Sequence, residues 1–159
     1  MPDLLVNLLT LAPLERDIPG VVIRRAQPFE ITPVRHFIQQ NFSTGWADEV
    51  SVGFANKPVS VLIATVDGQL VGFAAYECTR RAFFGPMGVL AQVKGRGIGR
   101  SLLLACMEGL KELGYVYGII GAAGPVEFYK KTVGAVVIEN SEPGIYRDFL
   151  KTSRDNDEG

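Results

Sequence analysis

The stretch QVKGRGIGRSLLLACMEGL, Gln92 to Leu110, decides how this chain of 159 residues is read. Gly95, Gly97 and Gly99 alternate with Lys94, Arg96, Ile98 and Arg100. Ile98, Leu102, Cys106, Leu110 and Leu113 then recur at helical spacing, which predicts a helix running to Gly114. The first N–H groups of a helix lack internal partners, and its dipole places positive charge there. Bare glycine backbone lets an anion approach those groups closely. No acidic residue stands between Glu77 and Glu108, whereas Arg80, Arg81, Lys94, Arg96 and Arg100 all do. The segment is therefore expected to cradle a phosphate-bearing ligand. It is not a Walker A loop, because no G-x-x-x-x-G-K-[ST] run occurs. It also fails the dinucleotide fingerprint, since Leu102 stands where the third glycine belongs.

The rest of the chain sets the frame for that site. Its length suits one domain, with 47% hydrophobic and 21% charged residues, so a soluble globular class is expected. The formal net charge is −1, which implies no global attraction to nucleic acid or to an anionic membrane. Cys78 and Cys106 lack metal-type spacing and read as reduced thiols. The N-terminal run MPDLLVNLLTLAPLERD lacks a basic segment and a small-residue cleavage site, and no apolar run nears membrane-spanning length. A cytoplasmic location is the expectation, and no metal is expected.

Working outward, Val21–Ala26 reads as a strand, and Thr32-Pro33 opens a helix with Val34, Phe37 and Ile38 on its apolar face. A second short helix is expected through Asp48 to Phe54. VSVLIATV and QLVGFAAYE are apolar strands joined by Asp67-Gly68, a strong hairpin signal, and RRAFFGPMGVL is a third. After the glycine segment come a strand YVYGIIGA, a short helix from Pro125, a strand AVVIE and a last strand in GIYRDFL. This order predicts a mixed α/β sheet with helices on its faces. Residues 1–150 form a single domain in this reading, with 1–19 as an N-terminal extension and 151–159 as a disordered tail. LLVNLLTL within that extension suits either an edge element or a homodimer contact.

The segment Val89 to Leu103 resembles the acetyl-CoA-binding motif of the GNAT superfamily of N-acetyltransferases, with Lys94 in place of the usual Arg or Gln. In element order the resemblance runs from Val21 to Leu150. It implies an α/β (α+β) fold with a splayed, mostly antiparallel sheet flanked by helices. It also implies acetyl-CoA as co-substrate, its pyrophosphate held by Lys94, Gly95, Arg96, Gly97, Ile98, Gly99 and Arg100. Backbone groups of Val89 and Leu90 would orient the pantetheine arm. EFYKKTVGA, Glu127 to Ala135, is similar to the family segment whose tyrosine protonates the departing thiolate, here Tyr129. This segment carries one residue more before its glycine, and the family's common asparagine is replaced by Ala122.

Many family members place a glutamate on the strand before the loop, but AFFGPMGVL contains no acid. Glu77, at the end of the preceding strand, is either the substitute that takes the amine's proton, directly or through water, or an exposed strand-end carboxylate. Trp46, Asp48 and Glu49 fall where the family shapes its acceptor pocket, and an aromatic face beside carboxylates suits a small amine such as an amino sugar. Trp46 as a core residue with two solvated acids is the competing reading. Glu142 and Tyr146 either close that pocket or form a turn. His36 has no partner motif and reads as packing or surface, and Cys78 lacks a histidine base that would make it a nucleophile. The expected function is N-acetylation of a primary amine of a small molecule. The alternatives are a non-catalytic acyl-CoA sensor and a protein lysine or N-terminal acetyltransferase.

Overall fold

The computed structural model describes residues 1–14 and 17–151. The strands are β1 (Leu4–Asn7), β2 (Val22–Arg25), β3 (Val61–Val66), β4 (Gln69–Tyr76), β5 (Phe83–Val89), β6 (Tyr117–Ile120) and β7 (Val136–Val137). The helices are α1 (Ile31–Asn41), α2 (Thr44–Ser51), α3 (Ile98–Glu112) and α4 (Val126–Val133). One sheet of seven strands has the order β2-β3-β4-β5-β6-β1-β7. Every pairing is antiparallel except β5 with β6. The expected mixed α/β, mostly antiparallel sheet with flanking helices is what forms. None of the described helices is long and apolar enough to cross a membrane.

Alternation along the central strands produces two cores. Leu62 and Ala64 of β3 and Ala74 and Tyr76 of β4 face α3, where Leu102, Leu103, Cys106, Met107 and Leu110 are buried. Val61, Ile63, Phe73 and Ala75 face the other way, onto Val34, Phe37 and Ile38 of α1 and Ala47 and Val50 of α2. Full burial of a side chain such as Phe73 contributes about 1.5–3 kcal/mol. Tyr76 is 1% exposed, and its hydroxyl accepts a hydrogen bond of 2.6 Å from Arg25 Nη1. Gly109 of α3 lies against this ring, where it leaves no room for a side chain. A Cβ built there would stand 2.4 Å from the Tyr76 ring.

Four expectations are corrected. Residues 4–7 form neither an edge element nor a free extension, because β1 lies inside the sheet between β6 and β7. Leu4 pairs with Ile120 on one side and with Val137 on the other. Helix α2 begins at Thr44 rather than Asp48, because the Ser43 side chain accepts from the Trp46 N–H and caps it. AVVIE is strand only at Val136–Val137: the Ile138 N–H still bonds the Asp3 carbonyl in register, but the Asp3 N–H goes to Ser141 Oγ, whose hydroxyl donates to the Ile138 carbonyl, and Asn140 then adopts a positive φ of 61°. GIYRDFL is not a strand. Gly144–Tyr146 is a single 3₁₀ turn after Pro143, closed by the Tyr146 N–H on the Pro143 carbonyl. Of the proposed tail, residues 152–159 lie outside the described residues.

Gly109→Ala should cost about 1–3 kcal/mol, because the buried Tyr76 ring has no room to retreat. Urea unfolding checks this, with a lower midpoint at unchanged slope as the expected result.

Candidate functional site

The site begins where two strands part. β5 and β6 pair only at Phe83 with Ile119 and Phe84 with Ile120. Beyond Phe84, β5 continues to Val89 against β4 alone. The Leu90 N–H donates to the Val71 carbonyl, so Val71 and Leu90 are a hydrogen-bonded pair. In an antiparallel ladder such pairs alternate, so Gly72–Val89 and Ala74–Met87 are the non-bonded ones. The backbone groups of Met87 and Val89 therefore turn away from β4, toward the opening. Leu90, expected to share that role, has its N–H on Val71, and its carbonyl accepts from the Val93 N–H. Met87 is the residue that shares the unbonded edge with Val89, and the hairpin register counted from Asp67-Gly68 was the signal that could have found it.

Past Val89 the chain makes one 3₁₀ turn, Ala91–Val93, and enters the glycine loop. Gly95 and Gly97 adopt φ of 87° and 82°, a left-handed conformation that side chains rarely take. A Cβ at Gly95 would meet no atom within 4 Å, so the surface over this part of the loop is open. Gly97 is the N-cap of α3 and supplies no side-chain cap, and the first bond of the helix runs from the Ser101 N–H to the Gly97 carbonyl. Ile98 is 1% exposed and anchors the loop in the core. Lys94 is exposed, and Arg96 Nη2 donates to the Pro19 carbonyl at 3.0 Å. The anion cradle expected from the sequence thus has its bare helix start and its glycine backbone, while Arg96 is turned toward the segment before β2.

The opening between the strands widens into a cavity of about 750 Å³. β5 contributes Phe83 to Met87, the β6–α4 loop contributes Gly121 to Pro125, and Tyr129, Trp46, Glu49, Glu142, Tyr146 and Phe149 complete its wall. Tyr129 packs edge-on against Phe84 and Phe128, and burial pushes its phenol up to about 12. Its hydroxyl thus holds its proton throughout the physiological range. Trp46 lies on Phe42, ring centroids 5.7 Å apart, and keeps 37% of its surface exposed. One face of Trp46 packs, and the remainder meets the cavity. Gly88 makes room for the arrangement, since a Cβ there would come within 2.5 Å of the Phe42 ring.

Two sequence-predicted residues are not brought to this cavity. Asp48 binds Arg35 of α1 at 3.2 Å, while Trp46 and Glu49, three residues apart, share the cavity-facing side of α2. Glu77 lies in a separate cleft of about 230 Å³ with Tyr115, Asn56 and Ser60. It has a positive φ of 59°, and its Oε1 accepts from the Ala82 N–H and, at 2.7 Å, from the Tyr115 hydroxyl. It closes the β4–β5 connection. Cys78 is no nucleophile either, because burial raises its thiol to about 11. His36 is exposed on α1.

Sequence reading also missed Asp3. Its Oδ1 accepts from the Ala122 N–H at 2.8 Å, and its own N–H donates to Ser141 Oγ. Asp3 thereby ties the β6–α4 loop to the segment carrying Glu142 and Tyr146. No local pattern in the sequence announces so distant a pairing.

The acetyltransferase (GNAT) domain family matches residues 57–132. No curated protein matches the chain. Among solved structures, a GCN5-related N-acetyltransferase from Sphaerobacter thermophilus superposes with a TM-score of 0.70 at 18% identity, over 86% of this chain and 48% of its own. A GCN5-related glucosamine N-acetyltransferase region of a fungal multi-domain GH3 β-N-acetylglucosaminidase gives 0.66 at 17%, over 86% and 19%. A GNAT family acetyltransferase from Brucella melitensis, in complex with acetyl-CoA, gives 0.55 at 22%, over 70% and 80%. The chain thus spans about a fifth and about a half of the length of the fungal and Sphaerobacter proteins. Its strand order, its parted β5 and β6 and its glycine loop belong together: the chain has the GNAT fold, and its residues 57–132 match the acetyltransferase (GNAT) domain.

Proposed function

We propose that the protein is an acetyl-CoA-dependent N-acetyltransferase acting on a primary amine of a small molecule, with an amino sugar such as glucosamine as the first acceptor to test. One observation carries the reading. A single cavity gathers Tyr129, Trp46 and Glu49, and the strand on its wall leads directly to the bare N-terminus of α3. The acetyl-CoA held by the Brucella relative and the glucosamine named for the fungal region support it.

In this reading the loop from Lys94 to Arg100 binds a pyrophosphate through its N–H groups and the α3 dipole, with its cations adding charge. Met87 and Val89 offer their outward backbone groups to an extended amide-bearing arm, as a neighbouring strand would. Acetyl-CoA supplies the activated acetyl group, which passes from sulfur to the acceptor nitrogen. Tyr129 gives its proton to the departing sulfur. A phenol held near 12 is a weaker acid than a free thiol of about 8.5, so full transfer is uphill; the O–H first steadies the charge growing on sulfur by a hydrogen bond, and the proton shed by the amine replaces the one it gives. Glu49 is the carboxylate on the wall that draws the ammonium in and, directly or through water, takes the proton the amine must lose.

Tyr129→Phe should lower kcat on the order of 10²- to 10⁴-fold while acetyl-CoA affinity stays within about twofold. Free CoA release across an amine panel, beside calorimetry, reads both. Undetectable release from both proteins with binding intact would instead make this a non-catalytic acyl-CoA binder. Gly97→Val should weaken acetyl-CoA binding about tenfold or more, equivalent to about 1.4 kcal/mol, by losing the left-handed cap. The pH profile follows from Tyr129. Its raised pKa means the acid form persists as pH climbs, so kcat should rise as the amine loses its proton and then level off. No descending limb is expected below about pH 10.

A further inference from the structure

Two walls of the cavity come from turns rather than from strands of the sheet. One is the connection between β6 and α4, Gly121 to Pro125, which leads into the helix bearing Tyr129. The other is the segment that carries Glu142, Pro143, Tyr146 and Phe149. Both converge on Asp3, the residue just before β1. Its Oδ1 accepts from the Ala122 N–H at 2.8 Å. Its own N–H donates to Ser141 Oγ at 2.9 Å, and its carbonyl accepts from the Ile138 N–H. Glycines let both turns close on this carboxylate: a Cβ at Gly144 would stand 3.3 Å from Oδ2, and one at Gly121 would stand 3.9 Å from Oδ1. Ala122 itself has a φ of 45°, which a residue with a Cβ adopts only where its surroundings hold it. The carboxylate is also felt at the second wall. Burial first, then Glu49 and Asp3, push the Tyr146 phenol up, against a lowering by Arg80.

We infer that Asp3 is a positioning residue for acetyl transfer: its carboxylate fixes the Ala122 turn and, through it, the start of α4 and the Tyr129 hydroxyl, while its main chain fixes the wall bearing Tyr146. The inference rests on the acetyltransferase reading above and deepens it. The path from Asp3 to the phenol is short. After Ala122, the Ala123 N–H donates to the Pro2 carbonyl, and Pro125 is already the N-cap of α4. The placement of β1 is thereby carried forward into the helix. A proton donor acts only within hydrogen-bond reach of the atom it serves, and a misplacement of about 1 Å costs on the order of 10²-fold in rate. The pyrophosphate end of the site stands on different elements, the glycine loop and α3. Damage at Asp3 therefore reaches the acyl end and spares coenzyme A affinity. An amide oxygen accepts the same hydrogen bond as a carboxylate, so asparagine preserves the turn and alanine does not.

The experiment compares Asp3→Ala, Asp3→Asn and Ser141→Ala with the wild-type protein. It follows CoA release with glucosamine and the other amines of the panel, acetyl-CoA binding by calorimetry, and hydrogen exchange at the Ala122 amide. Asp3→Ala should lower kcat about tenfold or more, leave the acetyl-CoA Kd within about twofold and speed exchange at Ala122. Asp3→Asn should bring kcat back to within about threefold of wild type. Ser141→Ala cuts only the main-chain tie, so it should raise KM for the acceptor and leave kcat within about twofold. Unchanged kcat or unchanged Ala122 exchange in Asp3→Ala overturns the inference. Equal damage by alanine and asparagine does so too, as does a parallel loss of kcat and acetyl-CoA affinity, the mark of a merely structural residue. An unchanged acceptor KM in Ser141→Ala also overturns it, and this arm reads even where Asp3→Ala fails to fold. In all these cases the acetyltransferase reading stands. Silence of the wild-type protein toward every amine overturns that reading and the inference with it.

Discussion

The rest of the structure depends on the parting of β5 from β6 after the Phe84–Ile120 pair. A buried strand ordinarily satisfies both of its edges, because unpaired N–H and C=O groups are costly away from water. Here one edge of β5 is committed to β4 and the other, at Met87 and Val89, is left facing a gap. The gap is held open from both sides. On one side β4 and α3 fix β5 through the packing of Tyr76 over Gly109. On the other, β6 is fixed by β1, whose partners lie on both of its own edges. The cavity and the exposed start of α3 are both consequences of that divergence.

How much of this was legible in the sequence differs by region. The glycine loop and α3 were, because positive-φ positions and helical periodicity are local signals. The hairpin at Asp67-Gly68 and the two-sided burial of β3 and β4 were too. The short helix bearing Tyr129 was found, but its burial against Phe84 was not readable from spacing. On α2 the error was one of phase. Reading the helix from Asp48 hid the Ser43 cap, and with it the fact that Trp46 and Glu49 share a face that Asp48 does not. Glu77 illustrates another limit: a carboxylate at a strand end looks catalytic until the backbone turns, and its φ of 59° sends it to close a turn instead. Leu90 was separated from Val89 by the parity of a ladder, which only the register reveals.

The near-neutral net charge conceals a division of labour along β5. One end of the strand runs into a loop of cations and bare backbone amides; the other lines a chamber of aromatic rings and carboxylates. The two cores make this arrangement rigid, since α3 positions the cationic end and α2 the acidic one, from opposite faces of the same sheet.

The interior position of β1 also bears on how the molecule is made. The β2–β5 portion pairs between near neighbours in sequence, so it can assemble as it is synthesised. β1 precedes β2–β5 in the chain, yet Leu4 pairs with Ile120 and Val137, more than a hundred residues later. Such long-range closure is entropically costly and slow relative to local pairing. The apolar segment from Leu4 to Leu8 must therefore wait, unpaired, until most of the chain has emerged. The wall bearing Tyr129 and the loop tied by Asp3 are then among the last parts to form, so a nascent chain acquires its ligand loop before it acquires its chamber.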